Sequence, residues 1–553
     1  MTFSRTLLMC LSLAFTCLAP SVFAQSDTLT VQTFTFKDID KRKGEFEFPK
    51  FEGQWAKILM IRHLKCDSAT TRDKFPCGEW DYSTNTVATV KKADGTKEKF
   101  EIEAFVTPYG KRLWFGGENG WKYVYDVTDY APILSGKVEL KSGNRQELLD
   151  MKFLFIKGTP VRDVISVENL YPMGSYKYED LSDDKKLQTR KLVFNPEAKT
   201  YRMRARISGH GHYGPRNCCE WDNKKHTYYA NKQVLFHWNV WKDCGHNAVF
   251  PQGGTWQFDR AGWCPGTPVD TYDFEVPQRV QPGDTINFDY GIEPYSDNGE
   301  KGGSYRQSHQ LFSYGAPNFK VDATLADIIT PSSQDAHSRF NPICSNPRIL
   351  IQNTGSNPLR TVKITYGFKK GKKSVYTWNG NLGFLDKAEV MLPAPSWKGF
   401  KKSPEFVVTL SEPNGGTDES PAGNTLVTTA KKPLAMGREF FLHIEANGLG
   451  RAKETGYKII NSNGAVVYER PALKDGETYD DFIALPDGCY ELLVTDKAED
   501  GMIRHWWNYR RDKSKVGKNG RIALMDEKGE LVKELRFDFA DYLSVRFQVG
   551  KMK

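Results

Sequence analysis

Helical periodicity is almost missing from this 553-residue chain. No stretch repeats its apolar residues at the three-to-four spacing that buries one face of a helix, which excludes a helix-based architecture. After Pro20 there is no long hydrophobic run. Charges interrupt every later segment, so no membrane-spanning helix is expected. A dense Lys/Arg stripe is lacking too. With 77 basic and 68 acidic residues spread along the chain, the net charge of +9 reads as a mixed solvated surface and not as a nucleic-acid footprint. Short-period repeats and low-complexity tracts are also absent.

What is present begins with an export signal. Arg5 supplies a basic start, Thr6 to Pro20 is uncharged and apolar, and Ser21-Val22-Phe23-Ala24 offers small residues before Gln25. Residues 1–24 read as a secretory signal peptide. The expected location is the periplasm, cell surface or medium. Cys10 and Cys17 leave with the signal. Cys66, Cys77, Cys218, Cys219, Cys244, Cys264, Cys344 and Cys489 remain, in a compartment that permits disulfides.

The rest alternates apolar and polar residues over short stretches, as in Lys122 to Val127, Tyr201 to Ile207, Val234 to Trp241, Arg348 to Asn353 and Leu543 to Val549. Val, Ile, Tyr, Phe and Thr dominate them, and Gly, Pro, Asn and Asp separate them, which is the pattern of strands and turns. The fold class is all-β: two packed jelly-roll sandwiches followed by two additional β-sandwich modules. Expected units are 25–165, 166–320, 321–430 (immunoglobulin-like) and 431–553, matching a length of roughly three to four domains.

Three clusters carry chemistry. The first is Cys66 … Cys77-Gly78-Glu79-Trp80-Asp81. The second is Ser208-Gly209-His210-Gly211-His212 … Cys218-Cys219-Glu220-Trp221. The third is Cys244 … Gly254-Thr255-Trp256 … Asp259-Arg260-Ala261-Gly262-Trp263-Cys264-Pro265-Gly266. Lesser segments lie between them: Phe105-Val106-Thr107-Pro108-Tyr109, Asp126-Val127-Thr128-Asp129, Leu134-Ser135-Gly136 and Gly158-Thr159-Pro160.

These segments, in this order over roughly residues 28–318, resemble the peptide:N-glycosidase F family. The resemblance implies two packed eight-stranded jelly rolls with the active site at their junction. It implies hydrolysis of the amide between asparagine and an N-linked glycan, with no metal and no cofactor, acting on N-linked glycoproteins or glycopeptides. By position, Asp81 matches the principal catalytic carboxylate and Glu220 the second acid, which binds sugar and water. Trp80, Arg260, Trp263 and His210 are the implied substrate-binding residues, with Trp263 stacking on a sugar face. Cys66–Cys77 and Cys244–Cys264 match two family disulfides.

Two departures stand out. Where the family has a third acid, the aligned place falls on or near Arg145; Glu147, two residues on, would share a strand face and is the candidate substitute. Where the family has a partner for the cysteine at 218, this chain has Asp222, so Cys218 pairs elsewhere, with the adjacent Cys219 as one option, or stays free; the pairing of Cys218, Cys219, Cys344 and Cys489 is left open. The rival to an active amidase is a catalytically impaired relative serving as a glycan-binding or cell-surface module. A metal cluster of His210, His212, Cys218, Cys219, Glu220 and His226 is disfavoured, because disulfide formation removes thiolate ligands. Asp496 to Gly501 reads as a turn instead of a calcium loop. Trp506 and Trp507 read as core packing. Residues 343–553 carry no site motif, so they are expected to be dispensable for cleaving a small glycopeptide. A monomer with no nucleic-acid partner is expected.

Overall fold

The computed structural model describes residues 28–50, 54–67, 77–92, 94–116, 119–213, 218–294 and 302–550. The signal-peptide assignment lies outside them. Strands dominate, and almost all pair antiparallel; Leu434–Met436 alongside Tyr542–Val549 is a parallel exception. Among the described residues no helix is long and apolar enough to cross a membrane.

The first sandwich stacks two four-stranded sheets. One is ordered Thr28–Gln32, Leu148–Lys157, Trp55–Lys65, Trp121–Asp126; the other Lys43–Phe48, Gly136–Ser142, Ser83–Lys91, Lys97–Val106. Side chains alternate across each strand, so Ile58, Met60 and Leu64 of one strand meet Met151, Phe153 and Phe155 of its neighbour in a single core. The second sandwich pairs the sheet Arg190–Val193, Thr285–Ile292, Lys224–Ala230, Gln233–Val240 with the sheet Thr271–Glu275, Thr200–His210, Ser304–Pro317, Arg162–Lys177. Its core is aromatic, with Tyr228, Phe288, Tyr290 and Trp238 packed around Met203 and Leu311.

The expected boundary after residue 165 falls inside one continuous strand, Arg162–Lys177. Val164 and Val167 of that strand pack on the first core and Leu170 and Tyr171 on the second, so we propose a division before Arg162.

A polar seam welds the two sandwiches. Arg204 donates to Asp129 and Asp273 at 2.8 and 2.6 Å, Arg202 reaches Asp129 at 3.1 Å, and Arg206 donates to the Tyr130 hydroxyl and the Glu101 carbonyl. Burial alone would raise the Asp129 carboxyl. The two guanidiniums outweigh it and hold the group down at about 2.

Two further sandwiches follow. Leu325, Ile349, Ile351, Val362 and Ile364 form the core of one; Phe440, Leu442, Leu492, Ile522 and Phe547 that of the last. A Cys344–Cys489 disulfide ties them together. The last one also docks on the first half of the molecule. Ala540 is fully buried against Tyr109 and Trp256, and the Arg536 guanidinium lies 3.1 Å from the centre of the Phe250 ring. Arg339, from the third sandwich, also ties it to the last by donating to the carbonyls of Phe539 and Tyr542 at 3.0 and 2.9 Å.

Candidate active site

Asp81 lies in the loop that enters the strand Ser83–Lys91. The Cys66–Cys77 disulfide closes the upstream end of that loop. Gly78 stands at φ +78, where a Cβ would fall 1.8 Å from the Gln146 amide nitrogen, so only glycine fits. Gln146 uses the space: its Nε2 donates to the Trp80 carbonyl at 2.7 Å, and its Oε1 accepts from Thr107 Oγ1 at 3.0 Å. The Tyr82 amide donates to Thr107 Oγ1 at 2.8 Å. Asp81 is thus held from both neighbours by neutral hydrogen bonds.

Glu220 and Arg260 come from the second sandwich. The Cys244–Cys264 disulfide ties the loop that carries Arg260. Gly209 lets three backbones meet here: a Cβ on it would fall 1.9 Å from the Cys219 carbonyl oxygen and 2.7 Å from Ala261 Cβ. Ala261 N then donates to the Glu220 carbonyl at 2.9 Å, which sets the acid beside the arginine. Arg260 is fully buried and fully occupied. Its Nε meets Glu220 Oε1 at 3.2 Å, and its other nitrogens donate to the carbonyls of Phe258 and Thr255 at 2.6 and 2.7 Å. The guanidinium also lies 4.3 Å over Trp221 and 4.9 Å over Trp263.

These groups act on Asp81 together. Burial raises its carboxyl, Arg260 lowers it, Glu220 raises it and a hydrogen bond from Tyr109 lowers it, leaving it at about 7. The Tyr109 phenol is itself pushed up, by burial first and then by the Asp81 charge, so it remains a donor.

His210 stacks on Trp263 with ring centres 5.2 Å apart, and its Nε2 lies 2.8 Å from Ser208 Oγ and 3.0 Å from Ser83 Oγ. Burial, followed by the charges of Arg306 and Arg260, lowers it to about 3, so the ring stays neutral at physiological pH.

The implied substrate contacts divide. Trp80 is 53% exposed and offers a free ring face. Trp263 is 2% exposed, with its Nε1 on the Gly209 carbonyl at 2.8 Å. Its expected role as a sugar platform is therefore corrected: it is a packing wall between His210 and Arg260. Arg260 likewise reaches the site through its charge and not through an exposed surface.

The expected strand beyond Ser142 is corrected as well. The chain turns over residues 143–147 before the strand Leu148–Lys157. Arg145 is exposed and paired with Asp40 at 3.1 Å. Glu147 is buried, and its charge acts on Arg42. It is not among the principal charges acting on Asp81.

Cys218 and Cys219 are bridged to each other. Asp222, at the place of the family's cysteine, forms a buried ion pair with Lys224 at 3.1 Å. His226 sits apart in the second core, with Nδ1 on the Tyr290 hydroxyl at 2.7 Å. Asp496 closes a strand and accepts from Ala498 N at 3.1 Å, and its carboxylate gathers with those of Glu454 and Asp500 within 4.8 Å, a spacing that the turn reading does not account for. Core packing of Trp506 is corrected by its 44% exposure.

Sequence reasoning missed Tyr109 and Gln146. The run ending in Pro108-Tyr109 had marked the segment without giving the tyrosine a role, and no motif marks a glutamine that braces a carbonyl. It also missed the last sandwich's contact with Tyr109, which brings residues 343–553 into contact with a residue that neighbours Asp81.

Comparison with known proteins bears on the same half of the chain. The sequence profile of the family described as Peptide-N-glycosidase F, C terminal, matches residues 177–312. The solved structures of peptide-N(4)-(N-acetyl-beta-D-glucosaminyl)asparagine amidase and of PNGase F from Flavobacterium meningosepticum align with TM-scores of 0.43 and 0.42. They are 26% and 27% identical, and each alignment covers 52% of this chain and 96% of the other. The peptide-N(4)-(N-acetyl-beta-D-glucosaminyl)asparagine amidase F of Elizabethkingia miricola is 32% identical over 289 residues, which is 48% of this chain and 75% of that protein. On that extent of shared sequence, the chain belongs to the peptide-N-glycosidase F family.

Proposed function

We propose that this protein is an exported amidase that hydrolyses the bond between an asparagine side chain and the first sugar of an N-linked glycan. The observation that carries the reading is Asp81: a carboxylate that burial raises, Arg260 lowers and Glu220 raises to about 7, next in sequence to the exposed Trp80. A base poised near neutrality is ionised in useful amount and still binds a proton well. In the proposed step, the oxygen of water attacks the amide carbonyl carbon while Asp81 takes its proton. The C–N bond breaks, the proton passes to the leaving nitrogen, and aspartate and a glycosylamine result. Arg260 offsets the charge left on the carboxylates. Glu220 holds sugar hydroxyls and the water. The four disulfides suit an oxidising compartment.

Incubation of the full-length protein with an N-glycopeptide tests this directly. Conversion of asparagine to aspartate adds about one mass unit, because an amide NH2 becomes OH. Turnover is expected to survive chelator. Loss with EDTA and recovery with zinc would replace the carboxylate reading with a metal-assisted one. A second reading, a glycan-binding protein without turnover, draws on one observation: Glu147, the candidate third acid, acts on Arg42 and is not among the principal charges acting on Asp81. Binding of the glycopeptide with no change in its mass would select it.

A further inference from the structure

The last sandwich carries an unusual loop. Residues 504–518 hold six cations (Arg504, Arg510, Arg511, Lys513, Lys515 and Lys518) and one acid, Asp512, whereas the whole chain has 77 cations in 553 residues. Asp512 is committed to Lys515 at 3.6 Å and to the Ser514 amide at 3.1 Å. Among the described residues, Arg504, Arg510, Arg511 and Lys518 are exposed without a carboxylate partner. The same loop displays Trp506 and Tyr509, which are 44% and 62% exposed. Lys513 lies 5.2 Å from the centre of the Tyr509 ring.

The loop is built, and it is placed. The buried guanidinium of Arg451 donates to the carbonyls of Ile503 and Val516, both at 3.2 Å, and so pins its two ends. His505 is fixed on Asp500 at 2.6 Å and stacks on Trp507 at 4.4 Å. Trp507 meets Phe258 edge-on at 5.7 Å, and Phe258 meets Trp221 at 6.1 Å. Trp221 lies under the Arg260 guanidinium at 4.3 Å, and Arg260 holds Glu220. Two aromatic contacts therefore join the loop to the wall of the candidate active site.

Exposed aromatic faces take sugar rings, and unpaired guanidinium and ammonium groups take carboxylate, sulfate or phosphate. We infer that residues 504–518 form an outer subsite for acidic branches of the N-glycan, with Trp506 and Tyr509 stacking on the sugars and Arg510, Arg511 and Lys513 binding their anionic groups. This rests on the glycan-amidase reading of the Asp81 site and extends it: the appended module would select among N-glycans by charge.

The test compares one N-glycopeptide in sialylated and enzymatically desialylated form, using the full-length protein. At low ionic strength the sialylated form should be cut with about ten-fold higher kcat/KM. The advantage should vanish near 1 M salt, where screening acts within about 3 Å. The triple variant R510A/R511A/K513A should lose the preference and leave kcat/KM for the desialylated form unchanged. W506A/Y509A should raise KM for both branched glycans and not for a peptide bearing a single N-acetylglucosamine. Equal rates on both forms in wild type, or equal losses in the triple variant, would overturn the inference. So would a loop that binds a DNA oligonucleotide or an acidic peptide but does not distinguish the two glycans. If wild type cuts no glycopeptide at all, the amidase reading fails by itself. Binding of the two free oligosaccharides then decides the subsite on its own: stronger binding of the sialylated one upholds it, and equal binding rejects it.

Discussion

Asp129 and Asp81 are both acids at the junction of the two sandwiches, and they end at opposite extremes. Asp129 receives two guanidiniums directly and sits at about 2, a structural anion. Asp81 has its neighbours held by amides and hydroxyls, sees one guanidinium that Glu220 already occupies, and sits at about 7. Each site carries the same burial penalty in kind. What differs is how much positive charge is left over. A weld between sheets needs full neutralisation; a catalytic base needs partial neutralisation, so that the proton can come and go.

The largest effect expected from disturbing this balance is at Asp81. Asp81→Asn keeps shape and removes both charge and basicity. Turnover should fall about 10²–10⁴-fold, read as kcat on an N-glycopeptide, with glycan binding kept. A folded variant at full turnover would end the assignment. In wild type, kcat/KM should rise with pH through about 7, because only ionised Asp81 accepts a proton and its carboxyl lies there.

Arg260→Met removes the cation that lowers Asp81. The acid limb of the pH profile should move to higher pH, and for every pH unit that it moves, the ionised fraction at a fixed pH on that limb falls about ten-fold. Glu220→Gln removes a like charge, so the limb should move the other way in whatever activity remains. Limbs that move in the same direction, or not at all, would show that the two charges do not set the base. The Arg260 change also strands the carbonyls of Thr255 and Phe258, at a stability cost of roughly 1–3 kcal/mol in chemical denaturation.

Tyr109→Phe should act in the same direction as Arg260→Met, and less. Tyr109 is the weakest of the principal groups that act on Asp81, so the limb should rise by a smaller step than the loss of the guanidinium produces. Because Tyr109 packs on Ala540, Ala540→Leu should disturb the same limb from the last sandwich, with an overpacking cost of roughly 1–3 kcal/mol. A rate change with an unmoved pH profile would mean that the last sandwich braces the fold without tuning the base.

The sequence made the strands legible, because alternation is local. It also made Asp81, Glu220 and Arg260 legible, because they sit inside dense motifs. Trp263 was misjudged because its motif does not reveal that His210 and Arg260 cover its faces. Glu147 was misjudged because a strand was extended through a turn. The docking of Ala540 on Tyr109 joins residues more than four hundred positions apart, and no local pattern encodes such a contact. Long-range packing and the direction in which a side chain faces are what the sequence withheld.

The smallest expected effect belongs to the neutral wall. Gln146 is fully buried, donates to the Trp80 carbonyl and accepts from Thr107. Gln146→Ala removes one partner from each, while Thr107 Oγ1 still reaches the Trp80 carbonyl at 3.4 Å and still accepts from the Tyr82 amide, so the stability cost should be about 1 kcal/mol. It also empties the space that Gly78 keeps open, so the loop ahead of Asp81 gains freedom. No charge is changed. The pH profile should therefore stay centred near about 7 while kcat falls a few-fold, about what a modest loss of positioning costs. Gly78→Ala in the same background is the sharper probe. Alone it should unfold or disable the loop, since its Cβ would overlap Gln146; with Gln146→Ala the clash is gone and only the strain of the left-handed backbone remains. Partial recovery in the double variant would show that the two residues act as one brace, and simple additivity would show that they do not.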